Sequence, residues 1–165
     1  MLSLTLRATA LSIACLLTPA LAGEGQEATA APLATTESGL ILRDGFARAA
    51  TPAAKAGAAF VVIENPTDMP DRLLAASTDA AKRVELHTHS MTDSGVMRML
   101  HLPEGFEIPA GGQLVLERGG HHVMMMGLTR GLADGDAVEV TFTFERAGPV
   151  TVTLPVDLQR GAHGG

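Results

Sequence analysis

Histidine and methionine recur together in one stretch of this chain. Glu85-Leu86-His87-Thr88-His89-Ser90-Met91 leads through Thr92-Asp93-Ser94 to Val96-Met97-Arg98-Met99, and further on comes His121-His122-Val123-Met124-Met125-Met126. Neutral imidazole and thioether are both uncharged donors. Polarizable sulfur favours a polarizable d10 cation, whereas hard cations prefer oxygen, so this mixture suits Cu(I). Two His and two Met leave a divalent ion uncompensated in a partly dry site, while a monovalent ion costs less to desolvate. Zinc usually takes Cys, His and carboxylate, and calcium and magnesium take oxygen. A blue-copper centre needs a cysteine, and attached haem needs a C-x-x-C-H run that the chain lacks.

The segments carrying these residues read as strands. Arg83–Thr88 alternates, with Val84 and Leu86 on one side and Glu85 and His87 on the other, and Val96–Leu102 alternates too. Directing Val84, Leu86, Val96 and Leu100 to the core turns Glu85, His87, His89, Met91, Met97, Met99 and His101 outward. Arg98 then falls on the core side and requires an edge or a partner. A tight hairpin centred near Asp93 would set His87 opposite Met99 and His89 opposite Met97, with Cβ atoms about 4.5–5.5 Å apart. In the third segment His122, Met124 and Met126 share a face, and Val123 and Met125 take the other, with Met125 as core filler. Two His and two Met can thus surround one ion.

The remaining segments follow the same grammar. Ala58–Ile63 is a β-branched and aromatic run that stops at Asn65-Pro66-Thr67-Asp68. Gln113–Leu116, Ala137–Phe144 and Val150–Val156 read as further strands. Pro66, Pro70, Pro103, Pro109 and Pro149 sit at joints, and Pro155 marks the last strand as an edge. A turn of helix is the alternative only within Asp71–Arg83, where Ala75-Ala76 and Ala80-Ala81 occur. Short strands between Gly, Pro and Asp turns indicate an all-β sandwich or barrel.

The ends set the compartment. Arg7, the apolar run Ala8–Leu21 and the small-x-small site Ala20-Leu21-Ala22 read as a cleaved secretory signal over 1–22. The run is too short to span a bilayer comfortably, and Ser12-Ile13-Ala14 before Cys15 matches a lipidation site poorly. Cleavage removes the only cysteine, so the exported domain folds without a disulfide. Residues 23–38 read as a flexible linker, 39–158 as one domain and 159–165 as a frayed tail. The formal charge of −6 and the lack of a basic run argue against nucleic acid or anionic lipid as partners.

Several ordered motifs resemble the PCu(A)C-type periplasmic copper chaperones. They are Val84-Glu85-Leu86-His87, Gly95-Val96-Met97-Arg98-Met99, Ile108-Pro109-Ala110-Gly111-Gly112 and Gly119-Gly120 through Leu128. The likeness extends upstream through Arg48-Ala49-Ala50, Gly57-Ala58-Ala59-Phe60, Ile63-Glu64-Asn65 and Pro70-Asp71-Arg72-Leu73, and downstream through Gly135-Asp136 and Thr141–Glu145. It implies a single cupredoxin-like, Greek-key β-sandwich that binds Cu(I) and delivers it in the periplasm, notably toward the dinuclear copper centre of cytochrome c oxidase. Carried over by motif, the metal ligands are His87, Met99, His122 and Met124. Eleven residues separate His87 from Met99 and twenty-two separate Met99 from His122, about one more in each gap than the family pattern. The extra residues fall in turns near Asp93-Ser94-Gly95 and Pro103–Phe106, so the strand faces can survive. The register stays open: His89 or Met97 can take over a position, and Met126 and His121 are the other alternates.

The expectation is a monomeric metallochaperone whose partners are the copper ion and a copper acceptor protein. It is not expected to be an enzyme, because no acid/base pair is visible. Copper buffering without a dedicated acceptor and a metal-free interaction module are the rivals.

Overall fold

The computed structural model describes residues 31–91 and 95–160. The expected signal, and the first part of the expected linker, lie outside the described residues, as do the hairpin tip at 92–94 and the end of the tail. Eleven strands occur among the described residues: β1 (Ala34–Thr35), β2 (Ile41–Ala49), β3 (Ala56–Asn65), β4 (Asp71–Ser77), β5 (Ala81–Met91), β6 (Met97–His101), β7 (Phe106–Ile108), β8 (Gly112–Leu116), β9 (His122–Leu128), β10 (Ala137–Phe144) and β11 (Gly148–Pro155). Strand β1, within the stretch read as linker, pairs with β2. There is no helix among the described residues, and therefore none long and apolar enough to cross a membrane.

The strands form two antiparallel sheets. The larger runs β1-β2-β3-β9-β5-β6, with β8 also paired to β3; the smaller runs β11-β10-β4-β7. One edge of β3 serves two partners, since Ala56–Ala59 pair with β9 and Val61–Asn65 with β8. The chain changes sheet between β3 and β4, β4 and β5, β6 and β7, β7 and β8, and β9 and β10. This is the cupredoxin-like sandwich expected, in one domain.

The core forms where period-2 alternation from both sheets meets. Val138, Val140, Phe142 and Phe144 are all buried on one face of β10. They pack in one cluster with Leu86, Val123 and Met125 from the larger sheet. Met125 is fully buried, as its alternation with Met124 requires. The Asn65 side chain closes the turn after β3, its Nδ2 donating to the Met69 carbonyl at 2.8 Å. Pro155 ends β11, which is an outer strand.

Two expectations fail. Asp71–Arg83 holds no helical turn: Ala75 and Ala76 pair with Thr143 and Phe142, and Leu73 and Ala76 enter the core. The packing gained by a central strand overrides the alanine preference. Val96 and Leu100 do not reach the core either; they are 53% and 44% exposed. Strand β6 is the outermost of its sheet and every residue in it is exposed. Arg98, which needed an edge, has one.

The contrast between faces is measurable by urea denaturation. Met125→Ala is expected to lower stability by about 2–5 kcal/mol through lost burial and a residual cavity. Met97→Ala, at a position 61% exposed, should stay within about 0.5 kcal/mol of the parent.

Candidate metal centre

Three neighbouring strands carry the donors to the outer face of the larger sheet. Strand β9 lies between β3 and β5, and β5 pairs with β6. In the β5–β9 ladder His87 faces His122, Leu86 faces Val123 and Glu85 faces Met124. His122, Met124 and Met126 share the outer face, as their alternation predicts.

The β5–β6 register differs from expectation by two residues. His87 faces His101, His89 faces Met99 and Met91 faces Met97. Pairing among the described residues reaches Met91 and Met97, and Gly95 has φ 78°. A left-handed residue of this kind suits glycine, which has no Cβ to clash. A two-residue slip leaves each side chain on its original face, so the outward set survives while its partners change.

His89, Met99, His122 and Met124 line one open cleft of about 390 Å³. Ala49, Ala50, Ala56, Ala58 and Phe60 form its apolar wall, and Arg48 and Arg118 are its charged members. Small side chains on β2 and β3 leave room for the ring and the thioethers. Phe60 is buried behind His122, with ring centroids 6.5 Å apart, and packs at 4.9 Å on Phe46. The Arg160 guanidinium covers Phe46 at 4.5 Å, and Arg48 Nη1 donates to the Arg160 carbonyl at 3.2 Å. Sequence reasoning gave these wall residues no role. Their signal was present in Arg48-Ala49-Ala50 and Gly57-Ala58-Ala59-Phe60, where small residues interrupt apolar strands.

The hydrogen bonds fix which ring nitrogen is free. A carbonyl can only accept, so the 3.1 Å contact of His122 Nδ1 with the Gly120 carbonyl means that Nδ1 carries the proton. The lone pair of His122 is therefore on Nε2. His89 Nδ1 reaches the same carbonyl at 3.4 Å, and its ring stacks on His122 at 5.1 Å. Such outer partners commonly fix the tautomer of a metal-binding imidazole.

His87 does not line the cleft. Its ring stands 5.8 Å from His122 on one side and 5.8 Å from His101 on the other. Its Nε2 lies 2.9 Å from Glu85 Oε2, and Glu85 Oε1 pairs with Arg83 Nε at 3.2 Å. The alternates also separate. Met97 is exposed on the hairpin, and the Met126 sulfur accepts from Arg83 Nη2 at 3.2 Å. His121 turns away to pack its ring 4.4 Å from Phe106. Among the described residues no group of three or more His, Cys, Asp or Glu is arranged to hold a metal ion.

Burial holds His122 below the ordinary imidazole range. The nearby His89, His87 and His121 act in the same direction, and the Gly120 carbonyl opposes them. The hydrogen bond from His87 holds Glu85 below the usual carboxylate range.

The sandwich and its His/Met cleft define a class. The fold is shared with the "Copper-bound PCuAC domain from PmoF2", at a TM-score of 0.62 with 21% identity over 76% of this chain and 97% of that one. It is also shared with "CuI-DR1885 from Deinococcus Radiodurans", at a TM-score of 0.58 with 31% identity over 82% of this chain and 87% of that one. By sequence the chain belongs to the LpqE-like family, whose model, "Putative lipoprotein LpqE-like", matches residues 40–156. It is also similar to "Putative lipoprotein Lxx21020" of Leifsonia xyli, with 35% identity over 106 residues. That match covers 64% of this chain and 63% of the relative's length.

The low His122 pKa has a definite sign in folding. The unfolded imidazole takes up a proton near its ordinary value of about 6.5, while the folded one resists. The stability from neutral His122 is thus complete above about pH 6.5 and is lost as the pH falls toward the lower folded value. Urea midpoints of metal-free protein should decline from pH 7.5 to 5.5, and His122→Gln should flatten part of that decline.

Proposed function

We propose that this chain is an exported Cu(I) carrier that passes its ion to an acceptor protein by ligand exchange. The ion is held by His122 Nε2, the Met124 and Met99 sulfurs and an imidazole of β5. His89 is the β5 ring facing the cleft, and it stands in this reading where the motif alone assigns His87. The observation that carries the proposal is that two imidazoles, each with Nδ1 turned to the Gly120 carbonyl, share one cleft with two thioethers and no carboxylate. Neutral soft donors with no carboxylate beside them suit a monovalent ion better than a divalent one. The copper-bound domains of like fold support the same ion.

Transfer follows from unequal donors. Met99 is 53% exposed on the edge strand, whereas His122 is 4% exposed. An acceptor ligand can displace the outer thioether while the buried imidazole retains the ion. The acceptor implied by the family resemblance is the dinuclear copper centre of cytochrome c oxidase. The protein acts as a monomer in this scheme, and it carries out no catalysis.

Competition titration with a Cu(I) chelator in reducing buffer tests the site. Met124→Leu and Met99→Leu should each weaken binding about ten- to a hundredfold, equivalent to about 1.4–2.8 kcal/mol. His89→Gln should weaken it more than His87→Gln does. Affinity unchanged in Met124→Leu would remove the proposal.

Export has two readings. The small-x-small site before Gly23 supports signal cleavage there, while the lipoprotein names of the family and of the Leifsonia xyli relative favour an acyl anchor at Cys15. We expect an intact mass starting at Gly23 for protein isolated from the cell envelope. A lipid-modified mass starting at Cys15 would establish the anchored form.

A further inference from the structure

The cleft is larger than one ion needs. About 390 Å³ lies open beside the four donors, a volume within the range of about 300–1,000 Å³ that small-molecule sites occupy. Such sites combine apolar walls with a few placed polar groups. Here Ala49, Ala50, Ala56, Ala58 and Phe60 make the wall, and Arg48 is one of the polar groups.

Strand register sets Arg48 in line with a donor. Arg48 pairs with Ala58 across β2 and β3, and Ala58 pairs with Met124 across β3 and β9. Residues directly paired across strands share a face of the sheet. Arg48 and Met124 therefore stand in one row of the outer face with an alanine methyl between them. At about 4.8 Å per strand step, their backbones are about 10 Å apart. The space above Ala58 is part of the cleft. Arg48 Nη1 donates to the Arg160 carbonyl at 3.2 Å. A neutral carbonyl orients the guanidinium and leaves its charge in place, and the group carries further N–H donors.

The charges favour an anion in that space. Imidazole and thioether bind a metal as neutral donors, a Cu(I) ion adds a positive charge, and no carboxylate lines the cleft. An anion seated above Ala58 faces two cations, the ion and Arg48, beside an apolar wall that strengthens their attraction relative to bulk water. Softness selects its kind. Cu(I) prefers polarizable donor atoms, which favours a thiolate or a heavy halide over a carboxylate or phosphate.

We propose that Arg48 and the alanine wall form a seat for a small soft anion, which binds Cu(I) as the exposed Met99 thioether yields its place. The inference rests on the cleft being a Cu(I) site. It gives the incoming ligand of the exchange a chemical class, and it places the group that receives that ligand on β2.

Copper-edge absorption of the Cu(I)-loaded chain in bromide, compared with methanesulfonate at the same ionic strength, tests this. The expected result is a bromine neighbour gained and a sulfur neighbour lost. Arg48→Gln should weaken bromide binding about tenfold, whereas Arg48→Lys, which keeps the charge, should retain the bromine signal. Calorimetric titration of the loaded chain with 2-mercaptoethanol separates the sources of the anion. Binding tighter than that of bromide assigns the seat to a thiolate, and weaker binding assigns it to an inorganic halide. Absence of both a bromine neighbour and thiol binding in the parent would overturn the seat. So would bromide binding unchanged in Arg48→Gln. Either result, with sulfur and nitrogen scattering retained, leaves the cleft proposal standing. A parent that binds no Cu(I) removes both.

Discussion

The pairing of β5 with β9 is the constraint on which the site depends. With Leu86 opposite Val123 and His87 opposite His122, one face of the ladder enters the core and the other carries the donors. A slip of β5 by one residue would bury Glu85 and His87 and expose Leu86. Each misplaced polar group would then lack a partner in the core, at a cost of about 1–3 kcal/mol or more if charged. The hydrophobic core therefore enforces the donor geometry without any contact to an ion. The same argument covers β3, where Gly57 pairs with Met125 and Ala58 with Met124. A Cβ on Gly57 would stand 2.8 Å from the Arg48 carbonyl, so glycine there lets β2 and β3 stay close behind the cleft wall.

Charge is arranged in two different ways on that outer face. Inside the cleft the charged lining residues are Arg48 and Arg118, and the donors facing it are neutral. One ladder position away, Glu85 joins Arg83 to His87. The lining holds no carboxylate that would offset the second charge of a divalent ion. The chain as a whole carries −6, so this local character comes from side chains set by strand register and not from composition.

Much of this was legible in the sequence because β-strands have a period of two. The outward set on β5, the His122/Met124 face of β9, the buried Met125, the inward face of β10 and the edge position of Pro155 all follow from alternation and proline chemistry. What could not be read were quantities set by distant pairing. Strand β6 is an exposed edge, and nothing within Val96–Leu102 encodes that position. The hairpin register differs from the expected one by two, and an alternating pattern cannot distinguish registers that differ by an even number. Strand β2 escaped notice because its alternation is interrupted at Asp44, which has φ 55° beside a register shift. The helix-forming alanines of β4 were overruled by pairing to β10.

The uncovered edge strand is what makes the proposed transfer physically reasonable. An exposed apolar edge is ordinarily an invitation to unwanted pairing, and here Val96, Met97, Met99 and Leu100 are all exposed. Arg98 interrupts that run with a charge, which is one recognised way of discouraging edge-to-edge association. A soft donor on such a strand can move with the hairpin, whereas His122 is fixed by Phe60 behind it and by the Gly120 carbonyl. Holding and releasing are then assigned to different strands. Tightening β6 against a covering layer would strengthen the metal site and remove the opening through which an acceptor must reach the ion.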